Sequence, residues 1–166
     1  TFMTTVPKLL ETIKKKIYFA MEKESPIKKK MFNWAVSVGV KYVRNILNNK
    51  NNPILKTQYN LADKLVFSKL REKLGGRLSR MISGGAALPV DVAEFFWAMG
   101  VKVYEGYGLT EASPVVSFNR EDNPELGTIG MPLDNVDVIL ADDGEILVRG
   151  PNVMKGYWKD ELATQE

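Results

Sequence analysis

The side chains of this sequence that could do chemistry gather in two short runs. One is Ser83-Gly84-Gly85-Ala86-Ala87-Leu88-Pro89, and the other is Glu105-Gly106-Tyr107-Gly108-Leu109-Thr110-Glu111. Small residues let a flat ring or a phosphate approach the backbone, because no Cβ stands in the way. Tyr107 adds a stacking surface, Thr110 a hydroxyl and Glu111 a carboxylate. A hydroxyl beside a carboxylate suits a phosphate-bound Mg²⁺, with Thr110 on a phosphate oxygen and Glu111 on the metal. Each feature alone has a plainer explanation. Gly84-Gly85 serves equally as a strand-to-helix turn, Gly106 and Gly108 as loop geometry, and Thr110 as a helix N-cap. Two common nucleotide signatures are absent: there is no G-x-x-x-x-G-K-[ST], and Glu111 stands where G-x-G-x-x-G needs its third glycine.

The rest of the inventory narrows the chemistry. The chain has 166 residues and neither cysteine nor histidine. Disulfides, thiolate nucleophiles, Ser-His triads and zinc sites of the usual ligands are therefore excluded. Any metal must be a hard cation held by oxygen. Phosphate and acyl chemistry, run by carboxylates, hydroxyls, backbone amides and Lys or Arg, remain.

Positioning the two runs falls to an α/β pattern. Leu78–Ser83 is a short strand, a helix spans about Pro89 to Met99, and Val101–Tyr104 is a β-branched strand, with Glu105–Glu111 as the loop that follows. Such a β-α-β unit makes its strands parallel, so both glycine-bearing runs leave the sheet at one edge. Ligands of parallel α/β sheets bind outside the carboxyl ends of the strands. Upstream, Leu9, Leu10, Ile13, Ile17, Ala20 and Met21 recur at helical spacing. Ser25-Pro26 starts a second helix that would bury Ile27, Met31, Trp34, Val38, Tyr42 and Ile46, and a third, near Leu61 to Leu74, stops at Gly75-Gly76. Downstream, Val136–Leu140 and Glu145–Val148 flank the turn Asp142-Asp143-Gly144 as a hairpin. The expected organisation is a single partial domain over 1–166, mainly helical over 1–77, with the β-α-β unit and hairpin over 78–166.

Charge is unevenly spread. Residues 1–80 carry eighteen Lys or Arg against five Asp or Glu (+13), and residues 81–166 carry five against fifteen (−10), for a net +3. The runs Lys14-Lys15-Lys16 and Lys28-Lys29-Lys30 lie within amphipathic helices without interleaved aromatics, so they read as solvated faces rather than a nucleic-acid surface. No stretch nears the roughly 20 apolar residues of a membrane span, and no secretory signal opens the chain. The expectation is a cytoplasmic protein, at most peripheral to a membrane.

Taken together, Ser83-Gly84-Gly85-Ala86, Tyr107-Gly108-Leu109-Thr110-Glu111, Gly144-Glu145-Ile146-Leu147-Val148-Arg149-Gly150 and Gly156-Tyr157 resemble the AMP-forming acyl-CoA synthetase superfamily of adenylating enzymes. Val6-Pro7-Lys8-Leu9-Leu10-Glu11 and the run from Gly106 to Val116 are similar to its long-chain fatty acid–CoA ligase branch. The resemblance covers nearly the whole chain in order and spacing. It implies part of the large N-terminal domain of an enzyme that converts a fatty acid and ATP to acyl-AMP and pyrophosphate, then transfers the acyl group to CoA. It also implies that Gly85, Ala86, Glu105, Gly106 and Tyr107 border the adenine and that Gly108 lies in the nucleotide site. Thr110 would contact the α-phosphate and Glu111 would bind Mg²⁺. The family's Pro-Lys-Gly phosphate loop, its ribose-binding Asp and its adenylating Lys have no counterpart here. The chain is thus expected to be an internal fragment, inactive without the remaining segments of a longer chain. An adenylating ligase for another carboxylic acid, or a non-catalytic nucleotide-binding or lipid-surface module, remains the alternative.

Overall fold

Proline at the first helical position opens each long helix of the first half: α1 (Pro7–Glu22), α2 (Pro26–Leu47) and α3 (Pro53–Ala62). Its fixed φ suits that position, where its missing N–H costs nothing. The computed structural model describes residues 1–165; Glu166, the last residue of the expected domain, lies outside the described residues. The side chains of Ser25 and Asn52 accept the backbone amides of Lys28 and Leu55, capping α2 and α3. From α3 the chain continues through a π-helical turn, Asp63–Phe67, into α4 (Ser68–Lys73). It stops at Gly75 and Gly76, both at positive φ, as the sequence predicts.

Five strands form one sheet in chain order: β1 (Phe2–Thr5), β2 (Arg80–Ser83), β3 (Lys102–Gly108), β4 (Val115–Phe118) and β5 (Met131–Pro132). The first three are parallel, and α5 (Val90–Ala98) connects β2 to β3, so the expected β-α-β unit is present. β4 and β5 pair antiparallel, which makes the sheet mixed. One expectation is corrected here: Glu105–Gly108 is not loop. β3 runs on through Gly108 because Gly106 and Tyr107 pair with Phe118 and Ser117 of β4. The expected hairpin is present as β6 (Asp137–Leu140) and β7 (Ile146–Arg149), and α6 (Glu161–Gln165) closes the described chain.

The core is built around α5, whose residues Val92–Ala98 are all buried between the sheet and the first helices. Trp97 Nε1 donates to the Val103 carbonyl at 2.8 Å, tying α5 to β3. Arg71 pairs with Asp63 at 2.5 Å and donates to the Met99 carbonyl at 2.6 Å, so the π turn and the end of α5 share one guanidinium. Arg44 of α2 holds the buried Glu94 through two hydrogen bonds of 2.5 and 2.8 Å.

Two further expectations are corrected. α2 buries Phe32, Ala35, Val38, Gly39 and Val43, while Ile27 is 79% exposed and Trp34 and Ile46 lie at the surface. Gly39 sets this face, since the Phe67 ring and the Ala98 methyl pack where its side chain would be. Lys14 is not on a solvated face: its side chain is 19% exposed and pairs with Asp91 at 2.5 Å, across from α1 to α5. Lys15 and Lys16 are exposed. Among the described residues no helix is long and apolar enough to cross a membrane.

Gly39 generates a stability prediction. A Cβ there would sit 2.7 Å from Ala98 Cβ and 2.9 Å from Phe67 Cζ. Alanine gains about 1 kcal/mol of helix propensity, but overpacking between buried neighbours costs about 1–3 kcal/mol. Gly39→Ala should therefore lower unfolding free energy by about 1 kcal/mol net. Urea denaturation measures it, and a more stable variant would contradict this helix contact.

Candidate active site

At the carboxyl ends of β2 and β3 the two glycine-bearing runs face one another across a cleft of about 360 Å³. β2 ends at Ser83, whose hydroxyl is fully buried and finds no hydrogen-bond partner among the described residues. Gly84 continues the ladder by donating to the Thr5 carbonyl at 3.2 Å, and Gly85 then turns the chain at φ +86°. The opposite wall comes from β3 and the Thr110–Ala112 turn. Gly108 is needed for a reason of its own, since a Cβ there would fall inside the Pro114 carbonyl. That close approach coincides with the register shift between Tyr107 and Gly108. Gly84 and Gly106 carry no such demand: added Cβ atoms would find ordinary contacts at 3.4 Å or more.

The cleft brings together Gly85, Gly106, Tyr107, Gly108 and Thr110 of the expected site residues. Ala86, Glu105 and Glu111 are not in its lining. Ala86 is exposed in the loop. Glu105 is 8% exposed and turns inward, where its carboxylate accepts the Leu88 amide at 2.7 Å. Burial pushes its carboxyl up, against the smaller opposing effect of that hydrogen bond. Thr110 is exposed at the start of its turn, and no side chain caps that turn. Ile82, Ser83, Leu109, Pro114, Val115 and Phe118 complete the wall; the β4 members could not be placed without knowing that β4 folds back on β3.

Glu111 follows Thr110 on the turn and is half-buried. It makes no ion pair among the described residues; the Tyr157 hydroxyl donates to its Oε1 instead. That hydrogen bond, with a lesser one from its own backbone amide, holds the Glu111 carboxyl below the usual carboxylate range. Among the described residues no three carboxylates gather in a metal-binding cluster. A cation here would thus take one protein carboxylate and complete its shell with phosphate oxygens and water, a donor set that suits Mg²⁺.

Comparison with known proteins follows the same lines. The family described as AMP-binding enzyme matches residues 1–158. The chain is 34% identical over 168 residues to Long-chain-fatty-acid--CoA ligase FadD15 of Mycobacterium bovis, covering all of this chain and 27% of that protein. It is 36% identical over 178 residues to Long-chain-fatty-acid--CoA ligase 5 of Rattus norvegicus, covering all of this chain and 25% of that one. The anthranilate CoA ligase AuaEII in complex with anthranoyl-AMP matches 66% of this chain and 23% of its own at a TM-score of 0.50 and 22% identity, a likeness of fold. The chain spans about a quarter of the length of these relatives.

The buried carboxylate of Glu105 generates a pH prediction. A carboxyl with a raised folded-state pKa contributes stability only below its unfolded value, and loses it as pH rises through the folded one. Glu105→Gln removes the ionisation and keeps an acceptor for Leu88. The variant should match the parent near about pH 4 and melt higher than it at neutral pH. Paired thermal melts across that range test this, and a variant that melts lower at neutral pH would show that the charge is needed.

Proposed function

Because this chain belongs to the AMP-binding enzyme family, we propose that it supplies part of the nucleotide site of a long-chain fatty acid–CoA ligase. That enzyme would join a fatty acid to the α-phosphate of ATP, releasing pyrophosphate, and then pass the acyl group to the CoA thiol with release of AMP. The observation that carries this reading is the cleft itself: two glycine-bearing strand ends face each other, with Thr110 in the wall and Glu111 next to it on the same turn. The fatty acid as substrate is supported by the names of relatives that match the whole chain.

In this reading Gly85, Ala86, Glu105, Gly106, Tyr107 and Gly108 form the adenine side. Tyr107 gives a flat face, and Glu105 acts from beneath by fixing the loop through Leu88. Thr110 donates to the α-phosphate, since its hydroxyl is exposed at the cleft. Glu111 holds Mg²⁺, which when bound neutralises charge on the phosphates. Such catalysis is mostly positioning and charge neutralisation, which needs neither histidine nor cysteine. No Lys or Arg lines the cleft among the described residues. The triphosphate must therefore be met by the metal and by cations from other segments of the enzyme.

Two substitutions in the complete ligase test this. Glu111→Gln keeps the size of the side chain and removes the anionic ligand, so pyrophosphate release should fall by orders of magnitude. Thr110→Val deletes one hydrogen bond and should slow the reaction less. Pyrophosphate release followed against Mg²⁺ concentration measures both, and an unchanged rate and metal dependence in Glu111→Gln would end the assignment. The 166-residue chain alone, given ATP, Mg²⁺, CoA and palmitate, should form no acyl-CoA by mass spectrometry. Multiple turnovers would show that the cleft needs no further cation.

A further inference from the structure

We infer that Tyr157 is a positioning residue for the carboxylate of Glu111: its hydroxyl fixes Oε1 and leaves Oε2 to meet a divalent cation. The inference rests on the reading of Glu111 as a metal ligand given above. The two residues lie 46 positions apart, and the contact is made by a strap from Gly150 to Tyr157 that crosses the Thr110–Ala112 turn. The strap is tied to that turn along its length. Asn152 Nδ2 donates to the carbonyls of Ala112 and Val115 at 3.1 and 3.0 Å, and the Met154 amide donates to the Glu111 carbonyl at 2.8 Å. Both backbone and side chain of Glu111 are thus held from the same segment.

The seat of Tyr157 is itself built. Its amide donates to Thr164 Oγ1 at 2.9 Å, and that hydroxyl donates to the Asp160 carbonyl at 2.6 Å at the start of α6. Gly156 is required beside it, because a Cβ there would strike the Thr164 side chain. The ring is therefore delivered by α6 and its cap, and the phenol reaches the carboxylate from a fixed side. A carboxylate that binds metal through one oxygen is oriented by a donor on the other, and loss of such a donor typically weakens metal binding by about tenfold or more. No Lys or Arg pairs with Glu111 among the described residues, so a neutral phenol directs the carboxylate without cancelling the charge that a cation would seek.

The test uses the complete ligase with α,β-methylene ATP and Mn²⁺ as the probe, read by electron paramagnetic resonance. Tyr157→Phe should weaken Mn²⁺ binding about tenfold, and Glu111→Gln should weaken it further. In turnover, pyrophosphate release by Tyr157→Phe should recover at high Mg²⁺, which a merely structural role would not produce, while Glu111→Gln should not recover. If Glu111→Gln loses the metal and Tyr157→Phe binds it as well as the parent or better, the inference is overturned and the proposed function stands. If Glu111→Gln binds Mn²⁺ normally, the reading of the metal site fails, and the inference with it. Should Tyr157→Phe not fold, Thr164→Val decides: it loosens the seat and keeps the phenol, and unchanged Mn²⁺ binding there overturns the inference.

Discussion

The cleft depends on one buried hydrogen bond, that of the Leu88 amide to the Glu105 carboxylate. Glu105 sits at the middle of β3, at the end of its pairing with β2, and Leu88 closes the loop that leaves β2. The two strands are parallel neighbours, so their pairing fixes Ser83 opposite Glu105 but says nothing about where the following loop goes. The carboxylate supplies that missing constraint. Burying a charge is costly, and here one backbone amide offsets part of the cost. A carboxylate kept in such a place is better understood as a fastener for the loop than as a group that reacts.

Around that fastener the sheet changes character. On its parallel side, the β2-α5-β3 crossover produces the open edge where a ligand can sit. On its antiparallel side, β4 folds back along the end of β3 and closes the cleft with Pro114, Val115 and Phe118. The switch occurs where Gly108 lets the Pro114 carbonyl come close, and the chain then enters the turn that carries Thr110 and Glu111. The polar rim is thus placed by a backbone contact, and the strap from Gly150 to Tyr157 holds it from the far side.

Much of this was legible in the sequence where the signal is local. Ser25 and the Gly75-Gly76 stop act on their own neighbours, and the cap and the positive φ values follow from residue type, whereas the start of α3 at Pro53, capped by Asn52, lies ahead of the helix expected near Leu61. The β-α-β unit was equally plain, because a largely apolar helix between two short strands has few other arrangements. What escaped was nonlocal. β1 is only Phe-Met-Thr-Thr, and it is a strand because β2 offers it a partner. The buried face of α2 was misjudged because Ile27, Trp34 and Ile46 are large and Gly39 is not, yet the missing side chain is what admits Phe67 and Ala98. Lys14 is one of three consecutive lysines in the sequence, and only the packing of α1 on α5 sets it apart by bringing Asp91 within 2.5 Å. The Glu111–Tyr157 contact had a faint signal, since both residues fall in blocks that carry the family resemblance, but nothing in either block says that they meet.

The glycines of the cleft separate into two kinds, and the division bears on what the cleft is for. Gly85 answers a turn at positive φ, and Gly108 answers the closeness of Pro114, so both would be glycine in an empty protein. Gly84 and Gly106 have neither reason. A Cβ on Gly84 would meet the Gly106 carbonyl at 3.4 Å, and one on Gly106 would meet the Phe118 ring at 3.4 Å, both ordinary contacts. Gly106, within β3, gives up about 0.5–1 kcal/mol relative to alanine, and no close contact requires it. The space these two residues leave opens into the cleft that both line, next to the flat face of Tyr107. Room kept beside an aromatic ring, at a stability cost that the fold does not require, supports the proposal that a molecule binds there.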